Sequence, residues 1–186
     1  MRSRLILVAL ALGVGGLLPA TNLSVVASSG NEKVAMVDDC DPNADWGVGG
    51  CLDNHNDGNV TRAEFMLFLA SPLSPTTVVG HPSWRNDPGY LTVEDGEKVR
   101  VKNLGGRNHT FTRVDQFGGG TVPPLRVGLL PAPECPAAVL VGPGDKVEVS
   151  KTDLQPGDNR FMCCIHSWMR TVIKVVPDEK HGKRGG

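Results

Sequence analysis

The residues with the most chemical content lie close together near the C-terminus, in Phe161-Met162-Cys163-Cys164-Ile165-His166-Ser167-Trp168-Met169. Within that run Cys163, His166 and Met169 are separated by two residues each, which gathers a thiolate, an imidazole and a thioether on one tight loop. Two imidazoles and a thiolate in a near-trigonal plane, with a weak axial thioether, suit copper. Soft sulfur favours Cu(I) and nitrogen is good for Cu(II), so a compromise geometry lets the ion change oxidation state with little rearrangement. A second histidine must come from elsewhere. His81 precedes Pro82 in a linker and His181 lies in the tail, whereas His109 begins a strand after the turn Leu104-Gly105-Gly106-Arg107-Asn108. His109 is therefore the better ligand. Zinc could occupy the same ligands, but a thioether is a poor choice for a dedicated zinc site.

The elements that must position these residues are short strands. Leu91 to Glu94 and Glu97 to Asn103 flank Asp95-Gly96, a tight-hairpin signal, and Val99 and Val101 alternate with Lys98, Arg100 and Lys102. His109 to Val114 predicts a further strand. Gly118-Gly119-Gly120 and Pro123-Pro124 then mark a long excursion that no strand could contain. Ala137 to Val141 and Lys146 to Ser150 follow, and Arg160 to Cys163 and Thr171 to Val176 complete the set around a turn at Pro156-Gly157. With 23 Gly, 14 Pro and few aromatics, this pattern predicts an all-β Greek-key sandwich. The tail, 178–186, is polar and glycine-ended, and reads as disordered.

Glu94-Asp95-Gly96-Glu97-Lys98-Val99-Arg100-Val101-Lys102-Asn103 with His109-Thr110-Phe111, and Pro156-Gly157 through Phe161, Cys163, His166, Met169 and Val172 to Val175, resemble the two halves of a plastocyanin- or amicyanin-type cupredoxin. The short loop is most similar to amicyanin, and the likeness covers roughly residues 80 to 177. The resemblance implies a cupredoxin-type sandwich over 73–177 with the metal at one end. It also implies outer-sphere electron transfer without substrate turnover, hence no enzyme. Three departures stand out. The excursion from Gly118 to Pro136 is long, Asn108 stands where the family often has Pro, and Cys164 follows the ligand cysteine.

Five cysteines leave one thiol over after two disulfides. Neighbours on an extended chain point to opposite sides, so if Cys163 faces a metal then Cys164 faces away. Counting from Cys164 would leave one residue before His166, a poor match to the family's loop. The expected pairs are Cys135–Cys164 and Cys40–Cys51, with Cys163 the odd thiol; the alternative puts Cys163 in a disulfide and leaves Cys164 or Cys135 free.

The N-terminus carries Arg2 and Arg4, an uncharged run from Leu5 to Leu18, and a Val25-Val26-Ala27 step. It reads as a signal peptide over 1–27, which places the mature protein in the periplasm or outside the cell. The run is short for a membrane span, and the mature form is expected to have none. Residues 28–72 have a charge balance of −6 and residues 73–186 one of +3. Without a basic stripe and interleaved aromatics, nucleic acid is excluded as a partner.

Within 28–72, Asp53-Asn54-His55-Asn56-Asp57-Gly58-Asn59-Val60-Thr61-Arg62-Ala63-Glu64 resembles an EF-hand calcium loop. Asp53, Asp57 and Glu64 match positions one, five and twelve, Asn59 would bind through its carbonyl, and Thr61 falls at the ninth. His55 stands where an oxygen ligand is expected. The competing reading is a capping box of Thr61 and Glu64 on an amphipathic helix, Arg62 to Ala70, marked by Phe65, Phe68 and Leu69.

The expected function is that of an exported monomer holding copper through His109, Cys163, His166 and Met169, with calcium as a second ion. It would carry single electrons between redox protein partners across a docking face around His166. The alternative is a copper carrier or sequestering protein using the same ligands.

Overall fold

The computed structural model describes residues 33–48, 50–52, 58–70, 83–126 and 128–178. The segment read as a signal peptide (1–27), the stretch 71–82 with His81, and residues 179–186 lie outside the described residues.

Among the described residues the fold has ten short strands and one α-helix: β1 (Lys33–Asp38), α1 (Arg62–Ala70), β2 (Trp84–Asp87), β3 (Tyr90–Glu94), β4 (Val99–Asn103), β5 (His109–Thr110), β6 (Thr112–Val114), β7 (Leu140–Val141), β8 (Lys146–Val149), β9 (Gly157–Met162) and β10 (Arg170–Val176). They form two four-stranded mixed sheets, β2-β1-β4-β8 and β3-β10-β9-β6, and a small β5-β7 pair. The all-β sandwich expected from the strand pattern is the observed architecture.

Alternation drives the packing. In β4, Val99 and Val101 are buried and Arg100 is exposed; in β10, Thr171, Ile173 and Val175 are buried while Lys174 is exposed. Of these, Val99, Val101, Ile173 and Val175 join Val34, Met36, Val93, Val149 and Phe161 in one core. Each fully buried Val, Ile or Phe contributes about 1.5–3 kcal/mol relative to exposure.

Three strand expectations are corrected. Asp95-Gly96 does not close a hairpin: β3 pairs with β10, parallel, and β4 pairs with β1 and β8. The turn is tight, with the Glu97 N–H donating to the Glu94 carbonyl at 3.1 Å, but it carries the chain from one sheet to the other. Gly96, the second central residue of the turn, has a positive φ of 91°. The strand expected over 109–114 breaks at Phe111, so that β5 joins β7 and β6 joins β9. The strand expected from Ala137 shrinks to Leu140–Val141, because Cys135–Ala137 is a 3-10 turn around Pro136, which has no N–H for a ladder.

The polar N-terminal stretch also holds a strand that the sequence reading did not anticipate. β1 lies between β2 and β4, antiparallel to the first and parallel to the second. From its end, the Asp41 N–H donates to the Val60 carbonyl at 2.9 Å, and a Cys40–Cys51 disulfide closes the following loop. Helix α1 has the expected bounds, with Phe65 buried and Phe68 and Leu69 half-buried. No described helix is long and apolar enough to cross a membrane.

Candidate metal centre

Three segments bring the candidate ligands together. Strand β9 ends at Met162 and delivers Cys163, and the loop to β10 supplies His166 and Met169. The loop is held by its own backbone: the Met169 N–H donates to the His166 carbonyl at 2.9 Å and the Cys163 N–H to the Met169 carbonyl at 3.0 Å. His109 arrives on β5. Its approach is shaped by buried Asn103, whose amide donates to the Arg107 and Val141 carbonyls at 2.7 and 2.9 Å and accepts from the Gly105 N–H at 2.9 Å.

The side chains converge. Cys163 Sγ lies 3.8 Å from His109 Nδ1 and 4.0 Å from His166 Nδ1, and the two Nδ1 atoms are 3.3 Å apart. All three residues are buried, and among the described residues they form the one cluster of His, Cys or acidic groups close enough to share an ion. Met169 is wholly buried in the same loop. The Cys163 sulfur also accepts two backbone N–H groups, from Thr110 and His166, each at 3.4 Å. Such donors favour a thiolate.

Sequence reasoning missed Asp38. From the end of β1 its Oδ2 meets His109 Nε2 at 2.7 Å, with both side chains wholly buried. Burial alone would depress the His109 pKa, but the hydrogen bond to Asp38 and the bond and charge of Cys163 raise it to about 9. Burial would push the Asp38 and Cys163 pKa values up; His109, with backbone N–H groups, brings both below their ordinary values. The one sequence signal pointing to Asp38 was the apolar run Val34-Ala35-Met36-Val37, which could have been read as a strand.

Cys164 points away from the cluster and is bonded to Cys135; Cys40 is bonded to Cys51, and Cys163 is the free cysteine. The pairing matches the parity argument. It ties the long excursion to the site, as does the Thr121 N–H donating to the Cys164 carbonyl at 2.7 Å.

No family profile matches the chain, and no curated protein does. Among solved structures it is similar to a purple cupredoxin from Nitrosopumilus maritimus, with 12% identity over 78% of this chain and 100% of that one, at a TM-score of 0.42. It is also similar to plastocyanin from Dryopteris crassirhizoma (19% identity, 77% and 99% covered, TM-score 0.36). A third is auracyanin from Roseiflexus castenholzii (28% identity, 50% and 88% covered, TM-score 0.34).

The surroundings of His166 differ from the expected docking face. His166 is only 2% exposed. It lies beside Trp168 at 5.6 Å, Phe65 at 6.5 Å and Trp84 at 6.5 Å between ring centroids. Trp46 extends this cover, 5.8 Å from Phe65 and 5.9 Å from Trp84, with the Arg107 guanidinium 4.9 Å over its ring. Trp168 donates from Nε1 to the Trp84 carbonyl at 3.0 Å, so it belongs to the cover.

Of the calcium residues, Asp53, His55 and Asp57 lie outside the described residues. Glu64 is engaged as a capping box. Its Oε2 accepts from the Thr61 N–H and hydroxyl, both at 2.8 Å, and its own N–H donates to Thr61 Oγ1 at 3.2 Å. Asn59 and Thr61 belong to the turn before α1, and nothing among the described residues supports calcium binding there.

Proposed function

We propose that the chain holds one copper ion through His109, Cys163 and His166, with Met169 as a weak axial ligand, and passes single electrons between redox proteins. The observation that carries this reading is the convergence of two imidazole Nδ1 atoms and one thiolate in a buried spot, all within 4.8 Å of one another. The donor set is the softness mixture that copper needs in both oxidation states. Copper would supply the one-electron change between Cu(II) and Cu(I).

The chain's own residues supply the rest. The Thr110 and His166 N–H groups hold the Cys163 thiolate, and burial keeps water from the ligands. The Asp38 carboxylate takes the outer nitrogen of His109 and leaves Nδ1 for the ion. Every donor is buried, which supports electron transfer as the reading. Residues 1–27 direct export, and two disulfides suit an oxidising compartment outside the cytoplasm. The mature protein acts as a monomer.

One observation favours a second reading, copper sequestration: the aromatic cover over His166 lengthens the path to a partner. Electron self-exchange decides between them, being fast for a carrier of electrons and slow for a store of metal. The primary test is copper loading. Cu(II) should produce an intense visible sulfur-to-copper charge-transfer band that disappears on reduction and is absent in Cys163→Ser. A colourless Cu(II) complex would sink the assignment.

A further inference from the structure

We propose that Asp38 is a positioning residue of the metal centre, fixing the His109 tautomer that turns Nδ1 inward and lending a negative charge that favours Cu(II). The inference rests on the copper reading above. Its basis is the density of contacts on one carboxylate. Oδ2 faces His109 Nε2 at 2.7 Å and accepts the Arg107 N–H at 3.1 Å, and Oδ1 accepts the Gly106 N–H at 3.0 Å and the Cys40 N–H at 3.4 Å. An ionised carboxylate is acceptor-only, so the ring atom that meets it must be an N–H. A neutral imidazole carries one such proton, and with Nε2 as donor the lone pair lies on Nδ1, the atom beside Cys163 and His166.

The loop is built around this carboxylate. A Cβ on Gly105 would fall 1.9 Å from Asp38 Oδ2, so the chain approaches more closely than any side chain there would allow. Asp38 is delivered by β1, whose register sets it opposite Trp84 of β2. The same strand pair therefore brings in the His109 partner and a ring of the His166 cover. Carboxylates bonded to a ligand histidine orient the ring and raise its basicity, and their loss costs about 10–100-fold in metal affinity.

The test is the reduction potential of Asp38→Asn, which keeps an acceptor for His109 and removes the charge. We expect the visible band to persist, with Cu(II) affinity falling about 10–100-fold and Cu(I) affinity falling less. The potential should rise, each tenfold difference between the two losses corresponding to about 59 mV. An unchanged potential in a coloured variant would overturn the role, since a merely structural contact would not move it. If Asp38→Asn does not fold, the wild-type Cu(I) protein decides through its His109 ring-nitrogen resonances. Protonated Nε2 with a slowly exchanging proton supports the proposal; protonated Nδ1, or an Nε2 proton exchanging freely with water, refutes it. A wild type without the charge-transfer band fails at the earlier step, and the role of Asp38 falls with it.

Discussion

Phe65 stands edge-on to the His166 imidazole, with ring centroids 6.5 Å apart and planes at 83°. It is the one buried residue of α1, so the packing of this short helix is centred on the aromatic cover over His166. Phe65 also lies 4.6 Å from Trp84, 5.8 Å from Trp46 and 6.5 Å from Trp168. Removing its ring would leave a void among three indoles.

Phe65→Ala should therefore destabilise the fold by about 3 kcal/mol and open His166 to solvent. Denaturant titration measures the first effect. The second should appear as faster electron self-exchange of the copper-loaded protein. A variant of full stability with unchanged exchange would show that the cover does not control access.

The thiol count tests the divergence of Cys163 and Cys164. Unreduced, metal-free protein should expose one reactive thiol on denaturation, and peptide mapping should join Cys135 to Cys164. The bond closes a separation of 29 residues, so Cys135→Ser with Cys164→Ser should lose about 3–4 kcal/mol. The copper colour should survive. Mapping Cys163 into a disulfide would overturn both pairing and site.

Met169 and His109 should differ in kind. Met169→Gln should keep the colour and lower the potential, because an oxygen ligand favours Cu(II) over Cu(I). His109→Gly should weaken the colour, with recovery on adding imidazole. His81→Ala should leave the spectrum unchanged; bleaching there with an unaffected His109→Gly would mean that the wrong histidine was chosen.

The Thr61–Glu64 cap makes a pH-dependent prediction. Hydrogen bonds from the Thr61 backbone and hydroxyl hold the Glu64 carboxyl below its ordinary value of 4.5. A depressed folded pKa contributes stability that is present in full above that ordinary value and lost as pH falls through the depressed one. The difference in melting temperature between wild type and Glu64→Gln should thus shrink on acidification. Thr61→Ala should cost about 1 kcal/mol at neutral pH, equally with chelator or millimolar calcium. A melting temperature that climbs with the logarithm of free calcium, and stops climbing in Glu64→Gln, would return the loop to ion binding.

Much of the site was legible because it is local. Cys163, His166 and Met169 sit within seven residues of one another on one loop, and the alternation of Val99 and Val101 with Arg100 named the inward face of β4. Asp95-Gly96 shows where legibility stops. A tight turn is written in two residues, but whether its flanking strands pair depends on which neighbours bury their inward side chains best, here β10 for β3 and β1 for β4. β1 itself was hidden because its apolar run is short and set in an acidic stretch.

The sequence by itself determined the candidate donor types, the odd thiol, the helix bounds and the all-β class, each a matter of spacing, parity or period. The tertiary structure alone decided that Asp38 meets His109 across 71 residues and that Phe65, Trp84 and Trp168 close over His166. Spacing along the chain encodes which way neighbouring side chains point. Contacts between distant residues follow from how the strands share one core, and no local pattern records that outcome.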